Sequence, residues 1–473
     1  MLDAFYGKAR PGTARQAMPS RDNLKDASVS ARESATLRLR AWQPRLCALF
    51  AGIALLAVWL SAPAYSQDAT WAGPGNSWNT AGNWSSAAVP SNMATFSGAT
   101  PTNIVVTAAS TINTIVFTAG APAYSFNIQS PNNLVISGSG ITNNSANAPS
   151  FSTAPGASLF FQNGSTAANA VLTDNGTLGF FDSSTAGTAN ITITSSGLEN
   201  FLNTSSADHA TITVTSGGAM AFRNSSTAAN ATIVNNGSID FLDNSTAGNA
   251  TITTSNHGIT FFQTNASGGQ AQFITNAGGT FDISGLTNGG TTAGSIAGAG
   301  NYVLGTNALT VGSNNLSTEV SGVISGSGGS LVKVGTGTLT LSGTNTYSGP
   351  TTIQGGTLAA GAENTFSAAS HTVVASGGTL ALQGFNQTLN NGLENAGTVE
   401  LGIPGVTAPG TTLTVAGNYV GNGGTLVLNT FLGGDGSPSD KLIINGGTAD
   451  PSLMRIFNVG VYGPRPIATD QLS

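Results

Sequence analysis

The feature that most constrains this chain is a phrase that returns about every 20 residues between residues 160 and 285. In each copy a large apolar residue precedes a Ser/Thr/Ala cluster, a run similar to Asn-Ala-Thr-Ile and a turn containing glycine. A fixed period of this kind is typical of a solenoid, because a single repeat cannot bury its apolar face without stacked neighbours. The predicted apolar anchors are Phe161, Phe181, Leu202, Phe222, Leu242 and Phe262.

Composition favours strands over helices in this chain. Only 7% of residues are charged, and the good helix formers Lys and Glu are scarce. Thr, Val, Ile and Phe occur in short runs between Gly and Asn, which indicates short strands joined by tight turns. The predicted fold is all-β, a single-stranded right-handed parallel β-helix with coils of about 20 residues.

Alignment of the repeats on the anchors gives columns of equivalent residues. Two columns lie two residues apart, so both belong to one face of a strand and are predicted to stack in the core. They contain Leu172, Ile193, Ile212, Ile233, Ile252 and Phe273, and Ala170, Ile191, Ala210, Ala231, Ala250 and Ala271. The position before them predicts a polar ladder at a turn, bonded from coil to coil. Its members are Asn169, Asn190, His209, Asn230 and Asn249.

The N-terminus is predicted to be an extension followed by a secretory signal peptide, together spanning residues 1–66. Three arginines between residues 38 and 45 precede an apolar run at 46–60, and small residues follow up to Ser66. The single cysteine, Cys47, lies within this segment. We therefore expect an exported body without disulfides, thiol catalysis or cysteine-bound metal.

Charge excludes one large class of partners. Residues 1–66 hold nine Lys/Arg and four Asp/Glu, whereas the remaining residues hold five Lys/Arg and sixteen Asp/Glu. A body with so few cations cannot neutralise many phosphates, so no nucleic-acid partner is predicted. No metal site and no cofactor are predicted either.

Residues 67–100 form a distinct tryptophan-rich segment. Trp71, Trp78 and Trp84 fall within 14 residues, and Pro90 and Phe96 follow them. One interpretation is an N-terminal cap that covers the open end of the solenoid. The alternative is a glycan-binding platform, in which the three rings stack on sugar rings.

Two segments further along the chain resemble a known family. Residues 101–324 are interpreted as coils, and residues 325–361 contain Leu-Val-Lys-Val-Gly-Thr-Gly-Thr-Leu-Thr-Leu-Ser-Gly-Thr-Asn-Thr-Tyr-Ser-Gly. This motif resembles the autotransporter-associated β-strand repeat. After further coils at 362–410, residues 411–460 contain Ala-Gly-Asn-Tyr-Val-Gly and Ser-Pro-Ser-Asp-Lys-Leu-Ile-Ile-Asn-Gly-Gly. Residues 411–460 are similar to the pertactin-like end of autotransporter passengers. The tryptophan-rich segment is similar to the beginning of many such passengers.

The resemblance carries several implications. In that family the pertactin-like region is the folding nucleus, which implies this role for Tyr419, Leu426, Leu428, Leu442 and Ile444. It also implies an outer-membrane translocator barrel as a partner, which we do not find encoded in this chain. The tail at 461–473 departs from the family's Gly-rich continuation and is interpreted as aberrant, the product of a frameshift or of a break in the gene model.

The first functional hypothesis is an exported passenger that acts in adhesion or self-association, displayed at the cell surface or secreted. The outer membrane is included in this expected location, and the periplasm is the alternative if no barrel accompanies the chain. Its partners would be a host or matrix surface, or further copies of the chain. The glycan-binding module is the second hypothesis, and a polysaccharide-processing β-helix enzyme is the third.

The sequence argues against the enzyme. Asp182 and Asp243 share a column but are predicted about 14 Å apart, too far for a pair of catalytic carboxylates. The neighbours Asp208 and His209 invite a hydrolase interpretation, but no Gly-x-Ser-x-Gly elbow is present. We therefore predict no enzymatic activity and no catalytic residue.

Overall fold

A computed structural model describes residues 67–434 and 436–460, together with the backbone of residues 465–472. The predicted signal peptide and Cys47 lie outside these residues, as does much of the 461–473 tail. The described chain is a parallel β-solenoid of about 16 turns, with coils of about 21 residues. This confirms the predicted all-β solenoid, and the one helix described is the 3₁₀ turn Ala81–Asn83.

The N-terminal strands precede the 20-residue repeats and vary in length. Alternation of buried and exposed residues along them fits half-buried strands packed on one core. They are β1 (Ala69–Thr70), β2 (Met93–Phe96), β3 (Asn103–Val106), β4 (Ser110–Phe117), β5 (Ser125–Ile128), β6 (Asn133–Asn143) and β7 (Ser150–Thr153).

The repeats supply two short strands per coil, separated by Asn- and Gly-containing turns. They are β8 (Ser158–Phe161), β9 (Val171–Asp174), β10 (Thr177–Phe180), β11 (Asn190–Ile193), β12 (Leu198–Phe201), β13 (Thr211–Val214), β14 (Ala219–Phe222), β15 (Thr232–Asn235), β16 (Ser238–Phe241), β17 (Thr251–Thr254), β18 (Ile259–Thr264), β19 (Gln272–Thr275) and β20 (Thr280–Leu286).

The remaining strands continue the solenoid to the end of the described chain. Those before residue 382 are β21 (Gly290–Ala293), β22 (Ser295–Ala297), β23 (Asn301–Val303), β24 (Ala308–Val311), β25 (Thr318–Val320), β26 (Val323–Ser325), β27 (Ser330–Lys333), β28 (Thr338–Leu341), β29 (Thr351–Ile353), β30 (Gly356–Ala360), β31 (Thr372–Val374) and β32 (Gly378–Ala381). Those after it are β33 (Gln387–Leu389), β34 (Leu393–Asn395), β35 (Thr398–Glu400), β36 (Thr412–Val415), β37 (Tyr419–Val420), β38 (Thr425–Thr430), β39 (Lys441–Ile444), β40 (Thr448–Ala449), β41 (Ser452–Asn458) and β42 (Arg465–Leu472).

These strands form five sheets that run along the solenoid. Sheet I contains thirteen strands in the order β1-β2-β4-β6-β8-β10-β12-β14-β16-β18-β20-β23-β26, and sheet II contains ten in the order β22-β19-β17-β15-β13-β11-β9-β7-β5-β3. Sheets III and IV, which begin with β21 and β25, have eight strands each, and sheet V joins β33, β36 and β39. The pairings between strands are parallel except that of β41 with β42.

The core of the repeats is a stack of aromatic rings on the inner face of sheet I. Successive rings lie 4.7–4.9 Å apart and within 8° of parallel. The stack contains Phe161, Phe180, Phe201, Phe222, Phe241 and Phe262. Phe181, Leu202 and Leu242 were therefore assigned wrongly as anchors, because each follows the inward phenylalanine by one residue and so points to the opposite face.

Sheet II supplies the facing columns, with one correction to the predicted alignment. Ile191 pairs with Leu172 and Ile212, so Ile191 and not Ile193 belongs to the isoleucine column. The alanine column accordingly contains Ala189 at this coil. The turn before β11 has the same length as the turns before β9 and β13. The error arose because Ile191 and Ile193 lie two residues apart on the same face of the strand, so the linear sequence does not show which of them continues the column.

Candidate interaction surface

The outer face of sheet I carries a line of apolar side chains. Alternate residues of β8, β10, β12, β14, β16 and β18 point outward, in register from strand to strand. Large apolar residues occupy many of these positions, and we call them the outer stripe: Phe160, Phe181, Leu198, Leu202, Leu242, Ile259 and Phe261. Ile259 is 40% exposed, Phe160 is buried, and the others are half-buried.

A glycine makes room for the aromatic end of the outer stripe. Phe160 and Phe181 meet edge to face with ring centroids 5.4 Å apart. A Cβ at Gly179, which lies between them, would come within 2.6 Å of the Phe181 ring and 3.0 Å of the Phe160 ring. The missing side chain at residue 179 therefore lets these two rings close over the sheet.

Two opposite charges lie within the outer stripe. Arg223 and Asp240 occupy outward positions on neighbouring strands, and Asp240 is only 9% exposed. Burial raises the pKa of the Asp240 carboxyl to about 6, although the Arg223 charge acts in the opposite direction. The Arg223 Nε atom is buried, with no hydrogen-bond partner among the described residues. This pair places two poorly solvated charges among the outward positions of sheet I.

The outer face of sheet II is polar and repetitive. Its outward residues are mainly threonines on β9, β11, β13, β15 and β17, again in register. They include Thr173, Thr192, Thr211, Thr213, Thr232, Thr251 and Thr253. We call this set the threonine face, and together with the outer stripe it gives the repeats one apolar and one polar exterior surface.

The predicted polar ladder is only partly present. Asn169, His209, Asn230 and Asn249 occupy equivalent exposed positions at one turn, and the Asn249 amide donates to the Asn230 Oδ1 at 3.2 Å. Asn190 does not belong to this ladder. It begins β11 and pairs with Val171, while Thr188 takes the ladder position.

Sequence reasoning missed a better ordered ladder at the preceding turn. Its residues have positive φ and are Asn163, Asp182, Asn203, Asn224, Asp243 and Thr264. The backbone N–H of each of the first four donates to the side-chain oxygen of the next residue in the ladder, at 2.8–3.1 Å. Asp182 and Asp243 do share a column as predicted, and the recurrence of Asn or Asp there was the available signal for this turn ladder.

The three tryptophans lie inside the N-terminal end of the solenoid. Trp71, Trp78 and Trp84 are at most 3% exposed, and the Trp84 ring meets the other two edge to face at 4.9–5.0 Å. The backbone N–H of Trp78 donates to the Val105 carbonyl and covers the edge of β3. Buried rings offer no flat face to a sugar, so this arrangement favours the cap over the glycan platform.

The five residues predicted as a folding nucleus lie on three consecutive strands of three different sheets. Tyr419 belongs to β37, Leu426 and Leu428 to β38, and Leu442 and Ile444 to β39. The first three are buried, and the last two are partly buried against the same core. The structure thus places them together in neighbouring coils near the C-terminal end.

A polar network that sequence reasoning did not find joins the loops beside these strands. The Asp440 carboxylate accepts backbone N–H bonds from Gly410, Thr411 and Asn429 at 2.8–2.9 Å. The Asn429 amide nitrogen donates to the carbonyls of Ile403 and Thr407 at 2.9 and 3.1 Å. Asn429 is 1% exposed and Asp440 is 3% exposed, so the network anchors both loops to the core.

Two of the histidines lie beside acidic side chains. His209 Nε2 and Asp208 Oδ1 are 3.7 Å apart on an exposed turn. The two ring nitrogens of His371 contact the Asn391 carbonyl at 2.8 Å and the Glu394 carboxylate at 3.0 Å. Between residues 67 and 460, apart from residue 435, no group of three or more His, Cys, Asp or Glu side chains could hold a metal ion. The same part of the chain has no helix long and apolar enough to cross a membrane.

Comparison with known proteins gives matches near the C-terminus. Residues 387–467 match a family model described as Autochaperone Domain Type 1, and residues 331–360 match one described as Passenger-associated-transport-repeat. No solved structure matches this chain.

Three proteins of Escherichia coli (strain K12) are similar over short segments. The uncharacterized protein YuaQ is 34% identical over 137 residues, and the uncharacterized protein YdeU is 44% identical over 59. The probable autotransporter YfaL is 42% identical over 81 residues. These segments are 28%, 12% and 16% of this chain, and they span 10%, 13% and 6% of the respective relatives.

Proposed function

Because this chain is an autotransporter passenger that carries an autochaperone segment and a transport-associated repeat, we propose that it works outside the cytoplasm as an extended binding surface. Its activity is adhesion to a host or matrix surface or association with further copies, and it catalyses no reaction. It is displayed at the cell surface or secreted, after export by the predicted signal peptide. Its partner during export is an outer-membrane translocator.

The observation that carries this proposal is the exterior of the repeats. The outer stripe places large apolar side chains on or directly after five strands of sheet I, β8, β10, β12, β16 and β18, and the threonine face extends over five strands of sheet II. Aligned apolar side chains on an exterior sheet face are a feature of surfaces that bind other proteins. The charged residues are too dispersed to support the polysaccharide-processing alternative.

A pair of substitutions on the outer stripe tests the proposal. Leu202→Lys with Leu242→Lys places two charges on half-buried positions, so binding through this face should fall at least tenfold. The measurement is sedimentation of purified residues 67–473 for self-association, and retention of beads coated with the protein on host cells and matrix proteins for adhesion.

The control is Val234→Lys, at a 38% exposed position on the outer face of sheet II. Val234→Lys should self-associate and adhere as the wild type does. If the double variant retains wild-type association and adhesion, the outer stripe is not the binding surface. If the wild type neither self-associates nor adheres to any of the surfaces, the proposed function is wrong.

A further inference from the structure

Two carboxyl groups are buried inside the solenoid in columns whose other residues carry no charge. Glu199 is 0% exposed on the inner face of sheet I, and Asp174 is 1% exposed on the inner face of sheet II. The column of Glu199 also contains Leu159, Leu178, Met220, Ile239 and Thr260. The column of Asp174 also contains Thr153, Ile193, Val214, Asn235, Thr254 and Thr275. A carboxyl group is thus the exception in both columns.

Most of the oxygens of this pair lack hydrogen bonds. Asp174 Oδ1 accepts from the Thr153 hydroxyl at 2.7 Å and from the Gly176 N–H at 3.0 Å. Asp174 Oδ2 and both Glu199 oxygens are buried, with no hydrogen-bond partner among the described residues. An ionised carboxylate in such a place has lost its water without replacement, which strongly disfavours the charged form.

Among the described residues, no positively charged side chain acts on either carboxyl group of the pair. The charge that acts on Glu199 is the negative charge of Asp174, and the side chains beside Glu199 in its own column are those of Leu178 and Met220. Burial, followed by the Asp174 charge, raises the pKa of Glu199 well above its usual range. Burial also raises the pKa of Asp174 to about 6, although the Thr153 hydroxyl and nearby backbone N–H groups oppose this shift.

We propose that Asp174 and Glu199 form a proton-binding site that controls how tightly the coils around β9, β10, β11 and β12 are closed. With protons bound, both groups are neutral and the coils pack as the structure shows. When the pair ionises in a neutral or alkaline medium, the two negative charges repel each other and draw in water. The coils around them then open locally while distant coils stay closed. This inference rests on the buried residues of the solenoid and does not depend on the proposed adhesion or self-association.

The direction of the pH effect follows from linkage. In the unfolded chain both carboxyl groups ionise near pH 4. Their raised pKa in the folded chain means that opening releases protons, so the stability of these coils is greatest below about pH 4. It falls as the pH rises through the folded pKa of Asp174, which is about 6, and then through that of Glu199.

Hydrogen exchange at the backbone amides tests the proton site. Residues 67–473 are compared at pH 5 and pH 8 as wild type, Glu199→Gln and Glu363→Gln, the last removing an exposed acid. Peptides from 171–201 report the site, and peptides from 323–341 report distant coils and correct for the intrinsic effect of pH on exchange. Between pH 5 and pH 8, we expect the wild-type amide protection factors at 171–201 to fall at least tenfold more than those at 323–341.

The variants separate the proton site from a general effect of charge. Glu199→Gln should lose most of this excess fall and Glu363→Gln should keep it. Glu199→Met, which matches the neighbouring Met220, provides a second non-ionising variant in case the buried amide prevents folding. Equal protection of 171–201 at both pH values in the wild type would overturn the proposal. Retention of the excess fall in both Glu199→Gln and Glu199→Met would overturn it as well.

Discussion

Single residues at the turns hold the coils in register. The turn ladder puts Asn or Asp at positions with φ between 55° and 59°, where these side chains are tolerated better than most. The side-chain oxygens of four of these residues also accept a backbone N–H from the neighbouring coil: Asp182, Asn203, Asn224 and Asp243. A short polar side chain therefore provides both the turn conformation and a bond between coils.

Asn203 provides a test of both contributions. Asn203→Ala should lower the free energy of unfolding by about 1–2 kcal/mol, because it loses one hydrogen bond and places alanine at positive φ. Asn203→Gly keeps the conformation and loses only the bond, so its effect should be smaller. Urea unfolding of residues 67–473 measures both. A larger loss for Gly than for Ala would contradict this explanation of the turn ladder.

Asp240 makes a second residue-level prediction, on the outside of the sheet. Its folded pKa of about 6 lies above the unfolded value, so ionisation on raising the pH from 4 to 7 destabilises the fold. Asp240→Asn should therefore unfold at a higher temperature than the wild type at pH 7.5, with little difference at pH 4. The shift of this pKa from 3.8 to about 6 already includes the effect of Arg223, so the difference at pH 7.5 should be about 2–3 kcal/mol. A variant less stable at pH 7.5 would show that the ion pair dominates.

At the scale of the elements, the stacked phenylalanines define the core of the repeats. Phe201→Ala removes a ring from the middle of the stack, and the cavity should cost about 3–5 kcal/mol. Phe181→Ala is the matched control, because this half-buried ring lies on the outer face. Its loss should cost no more than about 1–2 kcal/mol. Comparable losses in chemical denaturation would contradict the assignment of the two rings to opposite faces.

The tryptophan cap is a separate element with its own prediction. Trp78 is 0% exposed, and its backbone covers the edge of β3. Trp78→Ala should lower the melting temperature by several degrees, with a loss of about 3–5 kcal/mol concentrated in the first coils. Differential scanning calorimetry measures the melting temperature, and hydrogen exchange locates the loss. An unchanged melting temperature would contradict a cap.

At the scale of the whole molecule, folding of the solenoid must begin with one pair of neighbouring coils. Parallel strands pair between coils, so the first pair must form without a template and is slow. The autochaperone match includes Leu426, which is 1% exposed on β38. If folding begins there, Leu426→Asp should slow refolding of residues 67–473 at least tenfold.

The control for the folding order is Ile104→Asp, an equally buried position on β3 at the other end. It should destabilise the first coils but leave the early C-terminal phase intact. Stopped-flow fluorescence and pulsed hydrogen exchange follow the two ends. Equal refolding rates for Leu426→Asp and the wild type would remove the C-terminal nucleus.

The sequence by itself determined the solenoid, its strand content and its period, because stacking of identical coils forces equivalent residues into columns. It did not determine which member of the pairs Phe180–Phe181, Phe201–Leu202 and Phe241–Leu242 points inward. Side chains alternate between faces at every residue, so a shift of one position exchanges core and surface. Only the tertiary structure decided that register, and with it the outer stripe and the buried pair of Asp174 and Glu199. Both depend on which residues neighbouring coils bring into contact, and the linear chain conceals this because the turns from sheet II to sheet I have two residues in some coils and four in others.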